Sequence, residues 1–268
     1  MEESRMNRAP SPLRTVCALT RGYLPRVFQA RGWVLAALAL APVGLAFAIH
    51  MTTSIIHHTE GVSPRLALDL FHGVLVRLML PVMALVAAPA GIREDLEQRT
   101  LPLMLTRPAS TWALPFGKGV LWFGWGALWL LVSSFGLLLL GAERQEAAFM
   151  ALAVISAFWA MLAFMSLLGL QFKRGTLWGA IFLFIWDPLV RIMPGNLQRI
   201  TFLHYIESIA GSRGAAVSKA QFLAQEQIST PWWLAALVLF AFGALCWALS
   251  GRKLHATPIG LAGTEAEG

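Results

Sequence analysis

Charge is scarce in this chain. Asp, Glu, Lys and Arg make up 13% of its 268 residues, about half the share of an ordinary soluble domain, and the acidic groups are the scarcer, at 14 against 21 basic. A chain this poor in charge cannot cover a soluble surface, so an ordinary globular domain is excluded. Cysteine is nearly absent: Cys17 and Cys246 exclude a disulfide framework and a thiolate metal cluster, and both read as reduced packing residues. No Gly-x-x-x-x-Gly-Lys-Ser/Thr loop occurs, so the chain is not expected to hydrolyse ATP by itself or to carry a cofactor of its own. Neither His-Glu-x-x-His nor Gly-x-Ser-x-Gly occurs, which removes the visible machinery of a protease or acyltransferase.

What is abundant is apolar. Hydrophobic residues make up 57% of the chain, with 11 Trp and 16 Phe against 2 Tyr, a composition that fills a bilayer and sets indole rings near its interfaces. Six apolar segments follow, at Trp33–Ile49, Phe71–Ala90, Val120–Leu140, Ala147–Leu170, Thr176–Met193 and Trp232–Leu249. Each approaches the roughly 17–25 residues that cross the hydrocarbon core as a helix. Because backbone groups in lipid must be satisfied within the segment, the expected fold is an all-α membrane protein with six spans in a single domain over 1–268.

The cations are not clustered among aromatics as a nucleic-acid surface would have them. They collect at alternate ends of the spans. Fourteen fall on one side: Arg5, Arg8, Arg14, Arg21, Arg26, Arg31, Arg93, Arg99, Arg107, Lys118, Lys173, Arg174, Arg252 and Lys253. Six fall on the other: Arg65, Arg144, Arg191, Arg199, Arg213 and Lys219. The richer side is cytoplasmic by the positive-inside rule, which places both termini there. Ala46-Phe47-Ala48 imitates a signal-peptidase site, but a basic leader of more than thirty residues and five further spans favour an uncleaved first helix.

Leu13–Arg31 alternates apolar residues with arginines around Gly22 and Pro25, the pattern of an interfacial elbow whose arginines snorkel to headgroups. Between Pro194 and Pro231 lies the longest outer connection, with two short helical pieces divided by the small residues 210–216. The conspicuous charges inside spans are Arg77 and Asp187. An isolated charge in hydrocarbon needs a partner or water, so the two are expected to form a structural ion pair between spans two and five, with a substrate path or gate as the alternative. His50, His57, His58, His72 and His204 all fall toward the outer side. Adjacent histidines do not share a helix face, and no Cys or carboxylate stands at ligand spacing, so no metal is expected.

The segment between spans two and three differs from the rest. Glu94, Asp95, Glu97, Gln98 and Arg99 occupy one turn, followed by Thr100, Leu101, Pro102, Leu103, Met104 and Leu105, then Thr106-Arg107-Pro108 and, further on, Gly117-Lys118. A helix so charged gains nothing from lipid and is suited to docking another protein. The run resembles the corresponding segment of ABC-2 type transporter permeases, matching at Glu94, Glu97, Thr100, Leu101, Leu105, Thr106, Pro108, Gly117 and Lys118. It departs from the pattern at Arg99, Pro102 and Thr111.

The resemblance implies a coupling helix seated in a cleft of a separate ATP-binding subunit. Glu94, Glu97, Arg99 and Arg107 would make its polar contacts, with Asp95, Gln98 and Thr100 beside them, and Leu101, Leu103, Met104 and Leu105 its apolar anchor. It also implies a second permease copy, identical or paralogous, ATP and Mg on the partner subunit, export across a bacterial inner membrane, and no nucleic-acid partner. A haem- or metal-bearing electron carrier or membrane enzyme using the outer histidines, and a permease-like sensor or assembly factor, stand as the alternatives.

Overall fold

The computed structural model describes residues 12–57, 71–88, 113–139, 143–172, 174–192, 196–210 and 230–256. Every regular element among them is helical. Four helices are long and apolar enough to cross a membrane, over Ala30–Thr52, Pro115–Gly136, Arg144–Gln171 and Trp232–Leu254, and two shorter apolar ones cover Gly73–Ala87 and Gly175–Val190. The protein is an integral, α-helical membrane protein.

Helix α1 (Pro12–Val27) turns at Phe28-Gln29 into α2 (Ala30–His57). The reversal is tight because Gly32 is there: a Cβ at that position would collide with the Val27 carbonyl oxygen. The Gly32 carbonyl then accepts the indole N–H of Trp125 at 2.9 Å, which ties the turn to a distant helix. Helix α2 begins earlier and ends later than the apolar run, because Met51, Thr52, Thr53 and Ser54 continue the helix beyond Ile49. Thr52 does so with its hydroxyl donated to the Ala48 carbonyl.

The second apolar segment starts as a π-helix, Phe71–Met79, and tightens into α3 (Leu80–Ala87). The fifth behaves alike. Helix α6 (Gly175–Ile181) loosens into a π-helix at Phe182–Trp186, where the Asp187 N–H donates to the Phe182 carbonyl five residues back, and resumes as α7 (Asp187–Ile192). Both π-helical stretches end two residues before a proline, Pro81 and Pro188. Proline removes the N–H that would close the α-helical turn on the residue four before it, namely Arg77 and Phe184, and the wider i to i+5 turn upstream accommodates the loss.

Helix α4 (Ala113–Leu139) is followed by α5 (Arg144–Gln171). After the short 3-10 turn Asn196–Ile200 come α8 (Phe202–Ala210) and α9 (Trp232–Ala256). Helix α5 is the hub, packed by α3, α4, α6, α8 and α9. Its sequence explains this: it is apolar on all sides, as a buried helix should be. Ala153, Ala157, Ala160, Ala163 and Ser156 are all buried, and such small residues let neighbouring backbones approach where lipid offers no hydrophobic drive to association.

Three of the helix contacts share one device, a ring laid into a glycine notch. Helix α4 carries Gly119, Gly126 and Ser133 at seven-residue spacing, all buried. A Cβ at Gly119 would strike the Trp247 ring of α9, and one at Gly126 the Phe158 ring of α5. Ser133 donates its hydroxyl to the Ala39 carbonyl of α2 at 2.7 Å. In reverse, Gly243 of α9 receives Trp159 of α5, whose indole N–H donates to the Phe240 carbonyl at 3.2 Å.

Candidate functional site

The residues that the sequence assigns to a docking role, Glu94, Asp95, Glu97, Gln98, Arg99, Thr100, Leu101, Leu103, Met104, Leu105 and Arg107, lie outside the described residues. Their downstream neighbour is described. Gly117 and Lys118, which close the motif, stand in the first turns of α4 and are both buried. Lys118 is 2% exposed, and its Nζ sits 4.2 Å over the centre of the Tyr23 ring. The guanidinium of Arg26 lies 4.8 Å from the same ring centre, so one aromatic face system on α1 serves two cations. A ring quadrupole offsets part of the cost of removing a lysine from water.

Tyr23 itself is buried with Val27 and Leu121 in a small cluster flanked by Trp125. Burial pushes its phenol above the ordinary tyrosine range, and the nearby Arg26 charge pulls partly the other way. Phe28 and Trp33 complete the joint by packing edge-on against Trp125, at 5.2 and 6.3 Å between ring centres. The result is a clamp. Helix α1 is fastened to the head of α4 by a buried cation and an aromatic cluster, and the first turn of α2 by the Trp125 to Gly32 hydrogen bond. Mechanically it makes α1 and the start of α4 one body. Of the stretch Leu13–Arg31 expected as an interfacial elbow, this helix covers the part up to Val27. Cys17, read as a packing residue, is exposed on it, whereas Cys246 is buried as expected.

A second polar node lies at the other charged position. Asp187 is 1% exposed and accepts the backbone N–H of Phe202 at 2.7 Å and that of Leu203 at 3.3 Å. These are amino-terminal donors of α8, which have no partner within the helix, and the helix dipole favours an anion there. Thr201 adds its hydroxyl as acceptor for the His204 N–H at 3.2 Å. His204 reaches on to Thr230, at the head of α9, with 2.9 Å between Nε2 and Oγ1. Beneath the node Phe164, Phe182, Phe202 and Phe242 pack at 4.9 to 6.1 Å between ring centres, joining α5, the π-helical stretch, α8 and α9.

Neither family models nor curated proteins match this chain.

Arg77 sits exposed near the end of its π-helical stretch, in surroundings unlike those of Asp187. The sequence identifies both as charges that need a partner, but not the partners that hold Asp187, which lie fifteen and sixteen residues away on a separate helix. Nor does it reveal the pairing of Tyr23 with Lys118. The available hint was Asp-Pro, since Asp187-Pro188 reads as a helix start; the carboxylate instead serves the start of the following helix. Of the histidines expected on the outer side, His204 is engaged with Thr230. Among the described residues no group of three or more His, Cys, Asp or Glu is placed to hold a metal.

Proposed function

We propose that this chain is the membrane-spanning permease subunit of an ABC-2 type transporter, an exporter of a bacterial cytoplasmic membrane with both termini inside. Its partners are an ATP-binding ABC subunit on another chain, which holds ATP and Mg, and a second permease copy that completes the path. The observation that carries this reading is the motif Glu94–Pro108 running on to Gly117-Lys118, between two apolar segments and on the cation-rich side.

The described helices fit the work such a subunit does. Six crossings would be the four long helices plus Gly73–Ala87 and Gly175–Val190. A push on residues 94–108 arrives at Ala113, where α4 begins, and the Tyr23–Lys118 clamp makes α1 follow. From α4 the displacement passes to the hub α5 through Phe158 in the Gly126 notch, since closely packed elements move as rigid bodies. The two shorter spans, each partly π-helical, have the weaker backbone ladders and are the natural places to flex.

Co-expression with a candidate ATP-binding ABC subunit tests the reading. The pair should co-purify, and ATP hydrolysis by the partner should depend on this chain. A stable chain that binds no ATPase, or a Soret band in the purified protein, would contradict it.

A further inference from the structure

A groove of about 250 Å³ runs between α1 and α4. Leu24 and Val27 form one wall and Leu121, Trp125 and Leu128 the other, with Gly124 between them. It has no polar group to offer. The Thr20 hydroxyl in its wall is donated to the Val16 carbonyl at 2.7 Å, and the Trp125 N–H is donated to Gly32. The groove is also open at its middle: a Cβ at Gly124 would meet nothing within 4 Å. Leu24 and Leu128 are 46% and 49% exposed.

Its place in the fold decides what such a slot can hold. Val120 to Leu128 lies within the membrane-crossing stretch Pro115–Gly136 and covers about 12 Å of helix, so the slot faces hydrocarbon along the first turns of a span. At the α1 wall, next to Thr20, stands Arg21, exposed. Helix α1 carries Arg14, Arg21 and Arg26, α4 carries Lys118, and neither has an acidic residue. An apolar slot of chain width with an exposed arginine beside it, between two helices without acidic residues, is complementary to a molecule with an acyl tail and an anionic head.

We propose that the groove holds one acyl chain of an anionic phospholipid, with the phosphate at Arg21. The lipid then forms part of the joint between α1 and α4, next to the Tyr23 cluster. The site depends on the membrane location and not on the transport reading.

The test is native mass spectrometry of the full chain purified in mild detergent, delipidated, and titrated with phosphatidylglycerol or phosphatidylcholine. One phosphatidylglycerol per chain should be retained, about tenfold more tightly than phosphatidylcholine. Gly124→Phe, which fills open space, should abolish that binding while thermal unfolding stays unchanged; Gly124→Leu does the same with a smaller side chain should the ring prove too large to fold. Arg21→Gln should remove the preference between the two lipids and keep the acyl contact. Retention of phosphatidylglycerol in a folded Gly124→Phe or Gly124→Leu chain would overturn the site. Equal binding of both lipids to the unaltered chain would overturn the headgroup assignment. Phosphatidylglycerol binding that appears only after residues 1–11 are removed would assign the groove to the chain's own amino-terminal segment.

Discussion

Replacing Asp187 should loosen α8 before anything else. The carboxylate is 1% exposed and receives two backbone N–H groups at 2.7 and 3.3 Å. A hydrogen bond to a charged group contributes about 1.5–3 kcal/mol, and a buried donor left unpartnered costs about 1–3 kcal/mol. The longer of the two bonds is the weaker, so Asp187→Ala should cost about 3 kcal/mol in total, above the upper range of an ordinary helix cap at about 2 kcal/mol. Asp187→Asn retains one acceptor but turns an amide N–H₂ toward the other donor, and should cost roughly half as much. At about 2–4 °C per kcal/mol for a chain of this size, the alanine variant melts roughly 6–12 °C lower.

Thermal unfolding in detergent gives the size of the effect, and amide hydrogen exchange gives its location. Protection over Phe202–Ala210 should fall first, with α4 and α5 unaffected until global unfolding. Arg77→Gln separates capping from ion pairing, because Arg77 is exposed and its loss should leave α8 protected. Loss of α8 protection in Arg77→Gln equal to that in Asp187→Asn would refute the capping account in favour of the Arg77–Asp187 pair.

Three further outcomes follow from the packing and the clamp. Gly126→Val forces a branched side chain into the Phe158 ring and should destabilise by about 1–3 kcal/mol; adding Phe158→Leu should recover part of the loss in the double variant, read by thermal unfolding. Tyr23→Leu removes the ring under the buried Lys118 and should cost about 1–2 kcal/mol, while Lys118→Met in the same chain should restore stability because no charge is then left buried. Tyr23 also predicts a pH effect. Its phenol is raised by burial, so the native state holds that proton more tightly than the unfolded chain; its contribution is fully present below about pH 10 and is lost as pH rises through the folded value. Tyr23→Phe should flatten that alkaline loss in a melting profile taken against pH.

The apolar runs are legible in the sequence because crossing a bilayer sets length and composition, which are local properties. The ends are less so. The helix of the first apolar segment runs from Ala30 to His57, with Ala30–Thr52 as its crossing stretch, instead of Trp33 to Ile49, since hydropathy falls at Met51-Thr52-Thr53 while the helix does not. The π-helical turns also escaped, although their prolines were visible: Pro81 and Pro188 announce a missing donor, not the way the upstream turn absorbs it. The tertiary partners of charged residues were out of reach. Lys118 and Tyr23 are ninety-five positions apart, and only packing brings them together. The seven-residue spacing of Gly119, Gly126 and Ser133 was present to be read, but which ring fills each notch depends on the arrangement of three other helices.

The most direct test of the central claim is the ATPase activity of the co-purified pair with Glu97 and Leu101 replaced together by alanine. These residues supply a polar contact and an apolar anchor of the docking segment that the motif implies. The double variant should insert into the membrane and fold normally, yet lose its hold on the ATP-binding subunit and the transport that depends on it. Full co-purification with unchanged coupled ATP hydrolysis in that variant would contradict the account.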